Sequence, residues 1–226
     1  IDAIRETMKA RKRKTELLGG VKMKDVAWFR DFPVKGDLRK AYNVLRVMDP
    51  VLLDQQDLMA SYITRLYHKG AFSIVPQNIG KPALKINEYK PETESGEDAG
   101  LEARVYSFFK EAAGEDGILQ QKELKRWAND HGEILFKWQQ DVPDKGTVWT
   151  LKPDEVQEVL GLRRFLEEFT LIKDRGVVEV GLWNNYLIFA SLYGIAKQLY
   201  KDFEAVCPEY FELTKNTSSG EDVPPY

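Results

Sequence analysis

Gly161-Leu162-Arg163-Arg164-Phe165-Leu166-Glu167-Glu168-Phe169 is the stretch that decides how this chain folds. Leu162, Phe165, Leu166 and Phe169 recur at three- and four-residue spacing, which gives a helix one apolar face. Downstream, Leu182-Trp183-Asn184-Asn185-Tyr186-Leu187 runs on through Phe189-Ala190 to Gly194-Ile195-Ala196. Trp183, Tyr186, Leu187 and Ala190 make a second apolar face. Two helices of this kind bury their aromatic seams against each other. Neither supplies a nucleophile, a metal cluster or a phosphate loop, so the stretch specifies architecture rather than chemistry.

Working outward toward the N-terminus, the pattern stays helical and then changes period. Lys24 to Pro33, with Val26, Trp28, Phe29 and Phe32, reads as a short extended segment. Asp37 is placed to cap a helix that runs to Met48 with Leu38, Ala41, Tyr42, Leu45 and Met48 on one side, and Pro50 ends it. Asp54 opens a second helix with Leu58, Tyr62, Ile63, Leu66 and Tyr67 inward, stopped at Gly70. Ala71–Val75 and Ala83–Tyr89 then read as strands flanking a turn that contains Pro76, Asn78, Gly80 and Pro82. The hairpin is expected to pack on the helix of Leu58, Ile63 and Leu66. Helices followed by a hairpin is the order of a winged helix.

Residues 91–100 are acidic, lack large apolar side chains, and are bounded by Pro91 and Gly100, so they read as a linker. Beyond it, helices are expected over Leu101–Ala112, as one long element from Gln120 to Trp138 with Leu124, Trp127, Ile134, Leu135 and Trp138 inward, and from Asp154 into the opening stretch. Lys173–Gly181 reads as a loop and Leu182 to Val206 as a last long helix. The expected fold class is mainly α with a small β-hairpin, α+β. Its parts are a basic segment (1–23), a winged-helix-like lobe (24–90), the linker (91–100), a helical lobe (101–215) and a disordered tail (216–226).

Composition sets the outer bounds. The chain has 226 residues, 43% hydrophobic and 31% charged, ordinary values for a domain with a real core. A net charge of -3 argues against a general nucleic-acid binder. The single cysteine, Cys207, allows no intramolecular disulfide, which fits a reducing compartment. No apolar run approaches the roughly 18 residues a membrane helix needs. The first residue is Ile1 rather than Met, which reads as an excised fragment.

Candidate chemistry is sparse. His68 and His131 lie far apart in sequence, with no metal-ligand partner at useful spacing. His68, near a helix end, reads as a dipole partner. Cys207 beside Pro208 has no nearby base and reads as structural. Glu167 and Glu168 lie on the polar side of their helix, and Arg163 and Arg164 are spaced to pair with them one turn on. Gly19-Gly20 lacks the context of a phosphate loop. No cofactor, metal or catalytic residue is expected. The one candidate site is a basic patch, Lys9, Arg11, Lys12, Arg13 and Lys14, joined by Arg5. A run of this kind is either a solvated helix end or a juxtamembrane segment drawn to anionic lipid. A DNA-binding role for the second helix is disfavoured by Asp54 and Asp57 at its N-terminus, with only Arg65, Lys69 and Lys81 nearby to meet phosphate.

The stretches 161–167, 182–187 and 192–196 resemble the cytoplasmic C-terminal region of a family of bacterial membrane proteins of unknown function, domain of unknown function 2207. Trp28 to Pro33 and the helices after it resemble the same family more weakly. Asn184 and Asn185 stand where that family usually has an acidic residue, and Tyr193 interrupts its Leu-Gly pair. The resemblance implies a module at the cytoplasmic face of a cell membrane, with an unknown protein partner and an anionic membrane surface met by the basic N-terminus. It carries no catalytic motif. The expected function is therefore a non-enzymatic interaction or signal-relay module. The alternatives are a winged-helix DNA-binding regulator and an enzyme of unrecognised type. A contiguous basic face on the second helix would favour the regulator, and a deep pocket with converging polar groups the enzyme.

Overall fold

A computed structural model describes residues 2–49, 55–76, 83–91, 96–143, 146–168 and 182–197. Phe169, the loop 173–181, Cys207 and the tail 216–226 lie outside these residues, as does the hairpin turn at 77–82. Eight helices of eight residues or more are described: α1 Asp2–Leu17, α2 Leu38–Met48, α3 Gln55–His68, α4 Glu97–Ala113, α5 Gln121–Asp130, α6 Gly132–Asp141, α7 Pro153–Glu167 and α8 Trp183–Leu192. Three short strands, β1 Phe72–Val75, β2 Ala83–Ile86 and β3 Ile118–Leu119, form one antiparallel sheet in the order β1-β2-β3. The protein is thus mainly helical with a small sheet, the class its sequence implies.

Local chemistry sets the boundaries. Asp37 accepts a hydrogen bond from the Lys40 amide at 2.8 Å and starts α2. Leu38, Ala41, Tyr42, Leu45 and Met48 are all buried, as their spacing requires. Pro153 stands at the first position of α7, and Glu155 accepts from the Lys152 amide at 2.8 Å, closing the first turn. Glu123 closes α5 in the same way, accepting from the Gln120 amide at 2.8 Å.

The hairpin forms with Phe72 opposite Ile86 and Val75 opposite Ala83. Its bed is α4 as much as α3. Phe72 stacks on Tyr106 and Phe109, with ring centroids 6.1 and 5.2 Å apart, while α3 meets the sheet at β1. β3, which pairs Leu119 with Leu84, comes from beyond α4 and has no counterpart in the sequence reading. A two-residue strand is too short to show a period.

Three further boundaries differ from expectation. Residues 97–100, read as linker, form the first turn of α4. The expected helix from Gln120 to Trp138 is two helices, broken where His131 takes a non-helical conformation (φ -119°, ψ 33°) before Gly132. The His131 ring stacks on Trp127 at 4.6 Å, and its Nδ1 lies 2.9 Å from the Trp127 carbonyl oxygen. The break turns Ile134 outward, 41% exposed, while Trp127 and Trp138 stay buried. The last long helix is interrupted after Leu192; residues 196–197 are helical again, and 198–206 lie outside the described residues. Gly194 adopts φ +70°, and the Ile195 amide closes back onto the Ala190 carbonyl at 2.9 Å.

One contiguous hydrophobic core runs from Leu17 to Ala196 and draws on both sides of residues 91–100. α3 lies at its centre, packed against α2, α4 and most extensively α8, where Thr64 and Ser191 hydroxyls meet at 3.1 Å. Phe165 and Tyr186 bring α7 and α8 together edge to face at 5.5 Å, and Trp183 is 2% exposed. Replacing Trp183 with Ala should cost about 3–5 kcal/mol, the range for a core aromatic, read as a lower urea midpoint. A loss under about 1 kcal/mol would place the indole at the surface in solution.

Candidate functional site

The helical stretch that opened the sequence reading is a clamp for the extended segment between α1 and α2. Gly161 comes first. A Cβ there would stand 2.5 Å from the Ala27 carbonyl oxygen and 3.1 Å from the Phe29 amide nitrogen. Only glycine lets the segment cross α7 this closely. Arg164 then donates from one guanidinium nitrogen to the Lys24 and Val26 carbonyls at 3.0 and 2.8 Å. Its Nε donates to Glu168 at 2.8 Å, and Glu168 accepts from the Trp28 indole at 2.9 Å. The Arg164 bond, followed by the Trp28 bond, holds the Glu168 carboxyl below its ordinary range. Glu158 accepts from the Val34 amide at 3.0 Å, and the Tyr186 hydroxyl donates to the Arg30 carbonyl at 3.2 Å.

Rings complete the clamp. Trp28 meets Phe165 at 6.1 Å, Phe32 meets Phe189 at 6.3 Å, and the Arg30 guanidinium lies over Phe165 at 5.1 Å. The fit beneath Arg30 and Phe32 is close, leaving about 10 Å³ among Leu162, Leu182, Tyr186 and Phe189. Arg163 and Arg164 pair with Glu167 and Glu168 as their spacing implied. Arg163 also reaches Asp49 at 3.3 Å. Residues 28–33 thus face α7 and α8. Buried Tyr193 donates to the Val159 carbonyl at 2.9 Å, and burial pushes its phenol far above the ordinary value.

A second constellation lies between α3 and α4. Arg65 donates to Asp98 at 2.8 Å, to Glu102, and to the Gly36 carbonyl at 3.1 Å. Lys69 donates to Glu102 at 2.8 Å, and the Tyr62 hydroxyl to Asp98 at 2.7 Å. The Arg39 amide also donates to Asp98, at 2.9 Å. Burial opposes the charge on Arg65, but the carboxylates of Asp98 and then Glu102 outweigh it and raise its pKa. Burial first, and the Asp98 charge second, push both the Tyr62 phenol and the Asp37 carboxyl up. None of these partners was legible as a cluster in the sequence, where Asp98 and Glu102 belonged to a linker and a separate helix.

The basic patch lies on α1. Lys9, Arg11, Lys12 and Arg13 are exposed, and the helix joins the body at its far end through buried Leu17 and Leu18. Gln157 of α7 donates to the Leu18 carbonyl at 3.1 Å. Lys14 bonds the Met48 carbonyl at 3.0 Å, and Arg13 lies 5.7 Å from the centroid of the half-exposed Trp149 ring. A groove of about 470 Å³ opens there, with Leu17, Trp149, Leu151 and Pro153 as its apolar wall and Arg13 and Glu16 as its polar lining.

His68 stands in the last turn of α3, as its sequence position implied. Burial lowers its pKa, and its Nε2 has no hydrogen-bond partner among the described residues. Among those residues no group of His, Cys, Asp and Glu could hold a metal ion, and no helix is long and apolar enough to cross a membrane. No protein-family model, curated protein or solved structure matches the chain.

Two outcomes test this picture. Glu102→Gln leaves Arg65 and Lys69 short of a buried counter-charge and should cost about 3 kcal/mol or more in urea melts. Glu97→Gln, at a carboxylate whose side chain is 76% exposed, should cost under about 1 kcal/mol. His68 predicts a pH effect. Below its ordinary value of 6.5 the unfolded chain takes up a proton that the folded chain resists. Stability should therefore fall as pH drops below about 6.5 and be regained above it. In His68→Gln the fall between about pH 7.5 and 5.5 should be smaller than in the wild type.

Proposed function

We propose that this chain is a non-enzymatic interaction and signal-relay module at the cytoplasmic face of a bacterial cell membrane, part of an integral membrane protein of the kind that segments 161–196 resemble. The observation that carries this reading is the basic arm. α1 presents Lys9, Arg11, Lys12 and Arg13 to solvent and joins the body through Leu17 and Leu18. An exposed cationic helix attached at its far end can lie along an anionic leaflet without disturbing the core. In this reading residues 24–90 act as a winged-helix-like unit, with β1 and β2 as the wing, that meets an as yet unidentified protein partner.

The regulator reading finds less support. Arg65 of α3 and Lys69 just beyond it, which would face phosphate, are spent on Asp98 and Glu102. α3 is also packed by neighbours on several sides, and its Asp57 carboxylate lies beside Gly194 at the end of α8. An enzyme reading finds Arg13 and Glu16 as the polar lining of the groove beside α1, and no nucleophile or metal site converges there.

Vesicle co-sedimentation tests the membrane reading. Binding should rise with the fraction of anionic lipid and fall with ionic strength, with each basic residue near the surface contributing about 1 kcal/mol. Changing Arg11, Lys12, Arg13 and Lys14 together to Gln should abolish it. Undiminished binding by that variant removes the electrostatic basis of the reading.

A further inference from the structure

We propose that residues 21–33 are a latch, which swings off the α7–α8 surface as a unit by pivoting at Val34–Gly36 and re-closes on the same contacts. The inference does not depend on what α1 binds.

The first support is backbone conformation at the pivot. Val34 and Lys35 are the two non-glycine residues with positive φ among those described, at 46° and 58°, and Gly36 follows at 81°. For a β-branched residue this region is a genuine outlier. Strain of this kind persists only where surrounding contacts over-determine it. Here those contacts are the Val34 amide bond to Glu158 and the burial of Pro33 and Val34. Immediately beyond, Asp37 fixes the start of α2. The strain is therefore concentrated at one end of the segment and is released if the segment leaves.

The second support is how the segment is held. Over residues 27–32 no side chain is fully buried; the buried anchors, Val26 at 1% exposed and Pro33, stand at either end of that stretch. Trp28 is 42% exposed and Phe32 38% exposed. Apart from Val26 and the ring contacts of Trp28 and Phe32, the hold is a short series of polar contacts, several to backbone carbonyls: Arg164 to residues 24 and 26, Tyr186 to residue 30, Glu168 to the Trp28 indole. Segments with few buried apolar contacts open locally well below the free energy of global unfolding. What the latch covers is different in kind. Leu162, Phe165 and Phe189 are almost fully buried, and Trp28, Arg30 and Phe32 lie over these two rings. Opening uncovers an aromatic surface, and that cost keeps the latch closed at rest. The latch joins α1 through Leu18, Gly19 and Gly20, the two glycines at φ +61° and +88°. A change in the arm therefore reaches α7 and α8 along this segment.

Limited trypsin digestion of the full chain, followed by mass spectrometry, tests the proposal. Cleavage after Arg30 reports latch opening, and cleavage after Lys122 and Lys125 in α5 reports opening of the body. In Gly161→Ala the new methyl displaces the Ala27 carbonyl while favouring the α7 helix. Cleavage after Arg30 should then rise about tenfold or more with α5 cleavage unchanged. Lys35→Gly alters an exposed side chain and relaxes the pivot, so cleavage after Arg30 should slow by about fivefold. Cleavage after Arg30 that rises only together with α5 cleavage in Gly161→Ala overturns the proposal. So does a Lys35→Gly chain cut at the wild-type rate or faster, a test that stands even if Gly161→Ala fails to fold.

Discussion

Arg65 carries a full positive charge into the space between α3 and α4, and the arrangement of the central helices follows from neutralising it. An unpaired guanidinium at that depth would cost several kcal/mol. Asp98 and Glu102, one turn apart on α4, meet it from the opposite side, with Tyr62 and Lys69 filling the remaining hydrogen-bond positions. This set fixes α4 against α3 in both rotation and height. It also ties in α2, because the Arg39 amide donates to Asp98 and the Arg39 guanidinium caps the end of α6 at the Asp141 and Val142 carbonyls.

With α3 and α4 fixed, the small sheet and the second helical pair fall into place around them. The sheet uses the aromatic side of α4, through Phe72, Tyr106 and Phe109. α8 uses the other side of α3 and brings α7 with it through Phe165 and Tyr186. The remaining surface of that pair is covered by an irregular segment rather than by another helix. An irregular segment has unpaired backbone groups, and α7 supplies partners through Arg164 and Glu158 while Gly161 lets the segment approach. A stretch that looked like pure packing therefore divides by face. Its apolar residues build the core, and its glycine, arginine and glutamates hold the segment that leads to α1.

The basic arm belongs to a different energetic regime. Its exposed cations are solvated and screened by salt, so they contribute little to holding the fold together. The division between a core that consumes its charges internally and an arm that displays them is what supports an interaction module over a DNA reader built on α3.

By itself the sequence determined the features set by local periodicity and chemistry. The α2 cap at Asp37, the apolar faces of α2, α3 and α7, the β1–β2 hairpin and the pairing of Arg163 and Arg164 with Glu167 and Glu168 all follow from spacing of four residues or fewer, or from turn residues. The tertiary structure decided what depends on partners distant along the chain. Residues 97–100 look like linker because they are acidic, yet Asp98 is required by Arg65, 33 positions earlier. The outward turn of Ile134 follows from the helix break at His131, not from hydrophobic period. Gly161 gave no hint of its role in a helical pattern, since the reason for it is the Ala27 carbonyl on another segment. Sequence periodicity records which face is buried; only the folded chain shows against what.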